Sequence, residues 1–173
     1  MLIKTKIRIQ MASKKLNSMR VLEQNKVPYE VLEYPNTIRD AQEVAEALGI
    51  PYFTVFKTLV AEVVGDPTQK KPYLAIVPSE KQLNLKKLAK AIGAKKMQMA
   101  SQKNAERMTG LQVGGISALA LLDKNWKVFL DQSASELQHI VISAGQRGLQ
   151  LRLPVSPLIR IVNAHIADIS DEE

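Results

Sequence analysis

Three short segments carry the residue types that site chemistry needs: Lys57-Thr58, Gly114-Gly115-Ile116-Ser117 and Ser143-Ala144-Gly145-Gln146-Arg147-Gly148. Adjacent glycines let a backbone approach a ligand closely and aim unpaired N–H groups at it. Lys57 stands within Val55-Phe56-Lys57-Thr58-Leu59-Val60, an otherwise apolar, strand-like run. A cation there needs either a ligand or a strand edge from which its stem can reach water. Ser117 is not set out as a nucleophile, because the pattern is not Gly-x-Ser-x-Gly and no histidine is close in sequence. The three segments are expected to meet in one pocket.

Composition narrows the chemistry. No residue of the 173 is a cysteine, which excludes disulfides, thiolate metal sites and a protein-borne thiol nucleophile. The two imidazoles, His139 and His165, sit among apolar residues with no metal-ligand spacing between them, so no metal site is expected. There is neither a Gly-x-Gly-x-x-Gly nor a Walker lysine motif, and no cofactor is expected. No apolar run reaches the roughly 18 residues of a membrane span, and the start lacks a continuous apolar signal core, so a cytoplasmic protein without membrane attachment is expected. The net charge is +7, and between residues 51 and 110 eleven lysines and arginines face four carboxylates. Such a basic middle third attracts polyanions. An ordinary lysine-rich surface would give the same count.

The elements that must position these residues follow from periodicity. With 46% hydrophobic residues the chain can bury one sizeable core, and a single domain is expected over residues 13–170, with residues 1–12 as an N-terminal extension. Ser13 followed by Leu16, Met19, Val21 and Leu22 predicts a capped helix ending before Val27-Pro28. Tyr29 to Glu33 alternates as a strand does, and Asp40 to Leu48 reads as a helix stopped at Gly49. Residues 54–64 and 73–77 predict a hairpin around the polar loop 65–72. Leu85, Leu88, Ala89 and Ile92 share one face of a helix that carries Lys86, Lys87 and Lys90 largely on the other. Strands are expected at 128–130, 140–142 and 149–153, the last two joined by a turn containing Gly145 and Gly148. A short helix over 157–162, a terminal segment 166–169 and a frayed tail at 171–173 complete the reading. Irregular mixing of strands and helices argues for an α+β fold rather than a doubly wound sheet.

Four blocks, in order and spacing, resemble the YbaK/EbsC family, relatives of the editing domain inserted in bacterial prolyl-tRNA synthetase. They are Val55 to Val60, Leu83 to Lys96, Thr109 to Ser117, and Ile142 to Leu149. The similarity runs from about Ser13 to Ile169. It implies a mixed, barrel-like sheet surrounded by helices and an aminoacyl-tRNA deacylase acting in trans on cysteine mischarged to tRNA(Pro), with prolyl-tRNA synthetase as partner. DNA is not an expected partner. Ala118 stands where the family usually has proline, and Ala144 where glycine is common. Alternatives are deacylation of Ala-tRNA(Pro) and a non-catalytic protein that binds tRNA or the synthetase on the same fold.

The residue types suggest roles, and for Lys57 and for the chemistry the resemblance implies them. Lys57 holds a phosphate or the ester region of the acceptor end through a charge-assisted hydrogen bond. Gly114 and Gly115 are expected to offer N–H groups to the ester carbonyl, the alternative being a plain turn that needs glycine just as often. Ser117 hydrogen-bonds substrate or backbone. Asp131 pairs with the substrate's α-ammonium or, equally well, caps the helix that follows it. Tyr34, Thr58, Ser143 and Arg147 are expected at the pocket rim, with Tyr34 stacking on the terminal adenine. Lys86, Lys87, Lys90, Lys95 and Lys96 are the expected footprint for the tRNA backbone. With no catalytic cysteine or histidine required, the cysteinyl thiol of the substrate would attack its own ester carbonyl, the pocket supplying orientation.

Overall fold

The computed structural model describes residues 15–172; the expected extension over residues 1–12 and the expected cap Ser13 lie outside them. The chain runs α1 (Asn17–Gln24), β1 (Glu30–Glu33), α2 (Ala41–Leu48), β2 (Phe56–Val63), β3 (Tyr73–Pro78), β4 (Lys81–Leu83), α3 (Leu85–Ile92), β5 (Met97–Met99) and α4 (Gln102–Thr109). It continues through β6 (Val128–Asp131), β7 (His139–Ser143), β8 (Leu149–Pro154), α5 (Val155–Val162), β9 (His165–Ala167) and β10 (Ser170–Glu172). Short 3-10 turns occupy Tyr52–Thr54, Ala118–Lys124 and Gln132–Glu136.

Three of the helices begin where a polar side chain satisfies the first free amides. Asp40 accepts from the Gln42 and Glu43 N–H groups, Asn84 from Lys87, and Ser101 from Asn104. No such cap precedes α1, which starts after Leu16 and is anchored by Met19 and Leu22 in the core.

The architecture is α+β with a mixed sheet, as expected, and its strands are partitioned into open sheets. Five strands order as β5-β2-β3-β6-β9, with β2 antiparallel to both neighbours and β6 parallel to β3 and β9. Three antiparallel strands order as β1-β8-β7, and a parallel bridge between Val55 and Val141 links that sheet to the entry of β2. The last two residues of β10 were expected in a frayed tail. Instead Ser170 to Glu172 pair with Leu83 to Lys81 of β4, and Lys87 absorbs the charge of Asp171.

Strand alternation sorts the side chains into two layers. Leu74 and Ile76 of β3 join Phe56, Val60, Val128 and Leu130 in the larger core, under α1, α5 and the β7–β8 pair. Tyr73, Ala75 and Val77 face the other way, onto Leu88 and Ala89 of α3. Leu88 is fully buried there, which is worth about 1.5–3 kcal/mol. A third cluster gathers Leu32, Tyr34, Val44, Leu48 and Val141. Among the described residues no helix is long and apolar enough to cross a membrane.

Candidate active site

The site originates in a gap beside β2. At its entry the strand is flanked by β7 through the Val55–Val141 bridge, and at its exit Ala61 to Val63 pair with Met99 to Met97 of β5. On that side Val60 O accepts the Ala100 N–H at 2.9 Å, and the Val64 N–H donates to Lys96 O at 3.0 Å. Alternation along the strand therefore turns the N–H and C=O of Thr58 the same way, where no strand pairs with them. Lys57 and Thr58 reach this opening from opposite faces. Thr58 shares the face of Phe56 and Val60, and Lys57 that of Leu59 and Ala61.

A cleft of about 330 Å³ fills the gap, at the small end of the range for small-molecule sites. Val44, Val55, Phe56, Val60, Ala105 and Ile116 give it apolar walls, and its polar groups include Arg39, Lys57, Thr58, Gly114, Ser143 and Gln150. Lys57 is half-buried, and its ammonium makes one long hydrogen bond, 3.4 Å to Ser79 O. A contact of that length is readily exchanged for a ligand oxygen.

The loop bearing the two glycines is wedged between two other segments. Gly114 has φ +90°, and a β-carbon on it would stand 3.2 Å from both Cα and O of Arg39. A clamp on Val113 holds the loop in register. Glu106 Oε1 accepts the Val113 N–H at 3.0 Å, and Arg147 Nε donates to Val113 O at 2.7 Å. The Val113 N–H is the main cause that lowers the Glu106 carboxyl below its usual value; desolvation opposes it, and Gln102, Arg147 and Arg39 add to the lowering. Arg147 thus works behind the loop as a positioning group, not at the cleft rim.

The structure separates the remaining expected residues. Lys57, Thr58, Gly114 and Ser143 border the cleft. Gly115 does not, and its N–H donates to Gln112 O at 2.8 Å, so it is not aimed at a ligand. The Gly114 N–H meets no acceptor among the described residues. Ser117 is 1% exposed, its hydroxyl has no partner among the described residues, and it does not line the cleft. Tyr34 is buried in the third cluster, where its ring cannot stack on an incoming base; its hydroxyl lies 3.4 Å from Gln150 Nε2. Ala118 and Ala144 are both packed in the larger core.

Asp131 lies away from the cleft and is fully committed. Its carboxylate accepts from the Ser133 N–H and hydroxyl, the Ile169 N–H and the Ser170 hydroxyl. Burial pushes its carboxyl up, and these bonds outweigh that and leave it below the usual value. Of the two readings offered for it, the cap is the one the geometry matches. No residue of the expected lysine footprint borders the cleft. Lys87 is held by Asp168 and Asp171, each at 3.0 Å, whereas Lys86, Lys90, Lys95 and Lys96 are exposed.

Two cleft residues carry no clear mark in the sequence. Arg39 is a lone exposed cation before the α2 cap. Gln150 sits in an alternating strand at a position that reads as solvent-facing, yet β1 and β7 flank it and leave it 5% exposed. Among the described residues its Oε1 has no hydrogen-bond partner, and it lines the cleft.

Known proteins resemble this chain in sequence and in fold. Residues 35–161 match the model of the aminoacyl-tRNA editing domain. Over 161 residues the chain is 39% identical to EbsC of Enterococcus faecalis, provisionally named a Cys-tRNA(Pro)/Cys-tRNA(Cys) deacylase, covering 92% of this chain and 95% of that protein. It is 27% identical over 124 residues to proline–tRNA ligase of Staphylococcus aureus, covering 72% of this chain and 20% of the ligase. Among solved structures, the hypothetical protein APE2540 superposes with a TM-score of 0.79 at 21% identity, covering 90% of this chain and 99% of that one. A protein provisionally described as a trans-editing enzyme for prolyl-tRNA synthetase gives 0.75 at 23% identity, covering 92% and 99%. The two solved structures share the fold. With the family model spanning most of the sequence and a 39% identical relative along nearly all of it, the chain belongs to the YbaK/EbsC family of aminoacyl-tRNA editing domains.

Proposed function

We propose that the protein is a trans-editing aminoacyl-tRNA deacylase that removes cysteine mischarged on tRNA(Pro), working in the cytoplasm alongside prolyl-tRNA synthetase. The observation that carries this reading is a small cleft that combines a cation, a free amide and an unpartnered amide oxygen with no nucleophile–base pair. Apolar walls hold a small side chain. Lys57 grips a phosphate or ester oxygen of the acceptor end, and the Gly114 N–H faces the carbonyl oxygen on which charge develops. Gln150 Oε1 accepts from the α-ammonium, the part expected of Asp131. Thr58 and Ser143 add polar contacts, and Gly115, Ser117 and Arg147 shape the loop behind them.

In the reaction the substrate thiol sulfur bonds to the ester carbonyl carbon and the carbon–oxygen bond to the ribose breaks. The thiol proton ends on the departing ribose oxygen, and a four-membered cysteine thiolactone leaves for hydrolysis in water. The pocket's contribution is orientation, the term that dominates intramolecular reactions. Lys95 and Lys96, with Lys86 and Lys90, supply positive charge to the tRNA backbone.

The test is release of amino acid from Cys-tRNA(Pro), Ala-tRNA(Pro) and Pro-tRNA(Pro) by wild type and Lys57→Ala. Rapid loss of cysteine alone, slowed roughly tenfold to a hundredfold by the substitution, is expected. Preferential loss of alanine would reassign the substrate, since pocket volume separates the two side chains by few atoms. Spontaneous-rate loss from all three would leave a binding protein on an editing fold.

A further inference from the structure

The end of the five-stranded sheet where β2 finishes gathers lysines that pair with no carboxylate among the described residues. Lys70 and Lys71 lead into β3, whose Tyr73 pairs with Ala61. Lys127 leads into β6, its carbonyl accepting the Leu74 N–H at 3.0 Å, and Lys96 leads into β5 opposite Val64. Two recesses that share Gln69 join them into one surface, one bordered by Lys70, Lys71 and Lys127 and the other by Lys95 and Asp66. All five lysines are exposed, and none forms an ion pair among the described residues. Asp66, the carboxylate in this surface, is turned onto the Thr68 N–H and hydroxyl at 2.9 and 2.6 Å.

We propose that this end of the sheet docks the duplex phosphate backbone of a tRNA acceptor arm whose unpaired 3′ end lies in the cleft. The identity of the RNA rests on the deacylase reading above; the polyanion chemistry rests on the surface itself. The lysines are spread along a rim rather than converging on one recess, which suits a chain of phosphates and not a single phosphate. Their placement relative to the cleft fits as well. Met99 lines the cleft and Lys96 is three residues away along β5, about 10 Å, while Thr58 to Val64 along β2 spans about 20 Å. That distance is within reach of an extended, unpaired 3′ end, so the first turns of the duplex would meet Lys70, Lys71 and Lys127. Neutralising phosphates there releases counterions and makes binding steeply dependent on salt.

The experiment compares wild type with the triple variant Lys70→Glu/Lys71→Glu/Lys127→Glu. Salt titrations measure binding to uncharged tRNA(Pro) and to an acceptor-arm minihelix, and deacylation is followed on Cys-tRNA(Pro) and on a cysteinyl ester of adenosine. The triple variant is expected to bind both RNAs about tenfold or more weakly at moderate salt, with the slope of log affinity against log salt reduced by about 3, one per lysine. Turnover of the adenosine ester is expected to be unchanged. Unaltered RNA affinity and slope would overturn the proposal, as would an equal loss on the adenosine ester. Loss of binding to prolyl-tRNA synthetase with RNA binding intact would assign the surface to a protein and overturn it too. A wild type that deacylates neither substrate would sink the deacylase reading alone, because the salt titration reads the surface without catalysis.

Discussion

A β-carbon placed on Gly115 would stand 2.9 Å from the backbone nitrogen of Arg147, closer than real side chains approach. The next two contacts, at 3.1 and 3.2 Å, are backbone atoms of Gln146, so no flexible side chain can swing aside. Gly115→Ala is therefore expected to cost about 1–3 kcal/mol by overpacking and to move Gly114 out of the cleft. Urea unfolding and deacylation measured together check this. Unchanged stability with full activity would mean that the 145–148 turn yields freely.

Lys57 tests the opposite separation of stability from activity. Because its ammonium makes a single long bond to Ser79 O, Lys57→Met is expected to leave the urea midpoint unchanged. Losing a charge-assisted hydrogen bond to substrate should slow deacylation roughly tenfold to a hundredfold. A variant with full activity would remove Lys57 from the site.

Gln150 buries an amide oxygen that the free protein leaves unpaired. Gln150→Leu, similar in volume, is expected to unfold at about the same urea concentration as wild type, because removal of the unmet amide oxygen is offset by loss of the long hydrogen bond that Gln150 Nε2 donates to the Tyr34 hydroxyl. Deacylation should fall by roughly tenfold to a hundredfold as the α-ammonium loses its acceptor. Rescue by Gln150→Glu but not by Gln150→Leu would separate contact with a cation from simple packing.

Asp131 belongs to stability. Its hydrogen bonds hold the folded carboxyl below the ordinary 3.8, so the ionised form contributes fully above that value and the contribution fades as pH falls through the depressed folded value. Asp131→Asn is expected to lose about 1–3 kcal/mol, equally from about pH 8 to about pH 5, with the gap to wild type narrowing below about pH 3.8. Urea midpoints across that range are the check. A gap of the same size at about pH 3 would show that charge on the carboxylate is not what the network holds.

Much of the fold was legible because long, regular patterns dominate it. The amphipathic period of 85–92, the stop at Gly49 and the 54–78 hairpin all report local physics that tertiary packing does not override. The three-residue strands β4 and β5 were not readable, since so short a run carries no period and exists only because β10 and β2 pair with it. Helix α4 has few apolar residues and hid for the same reason. At the site, the glycine pair and Lys57 stood out as residue types that clash with their surroundings. Gln150 did not, because its burial comes from strands distant in sequence, and Lys87 looked free until Asp168 and Asp171 folded back onto it.

The gap beside β2 also bears on how this protein lives among other chains. An unpaired strand edge invites a foreign strand to dock, the usual route to aggregation. Here β7 closes the edge before Phe56 and β5 closes it from Ala61 onward, so the backbone groups left unpaired belong to little more than Thr58. An invading strand would gain too few ladder bonds to stay, while a ligand needs only one or two. The width of the opening thus sorts guests by length, admitting a small molecule's polar groups and refusing a polypeptide.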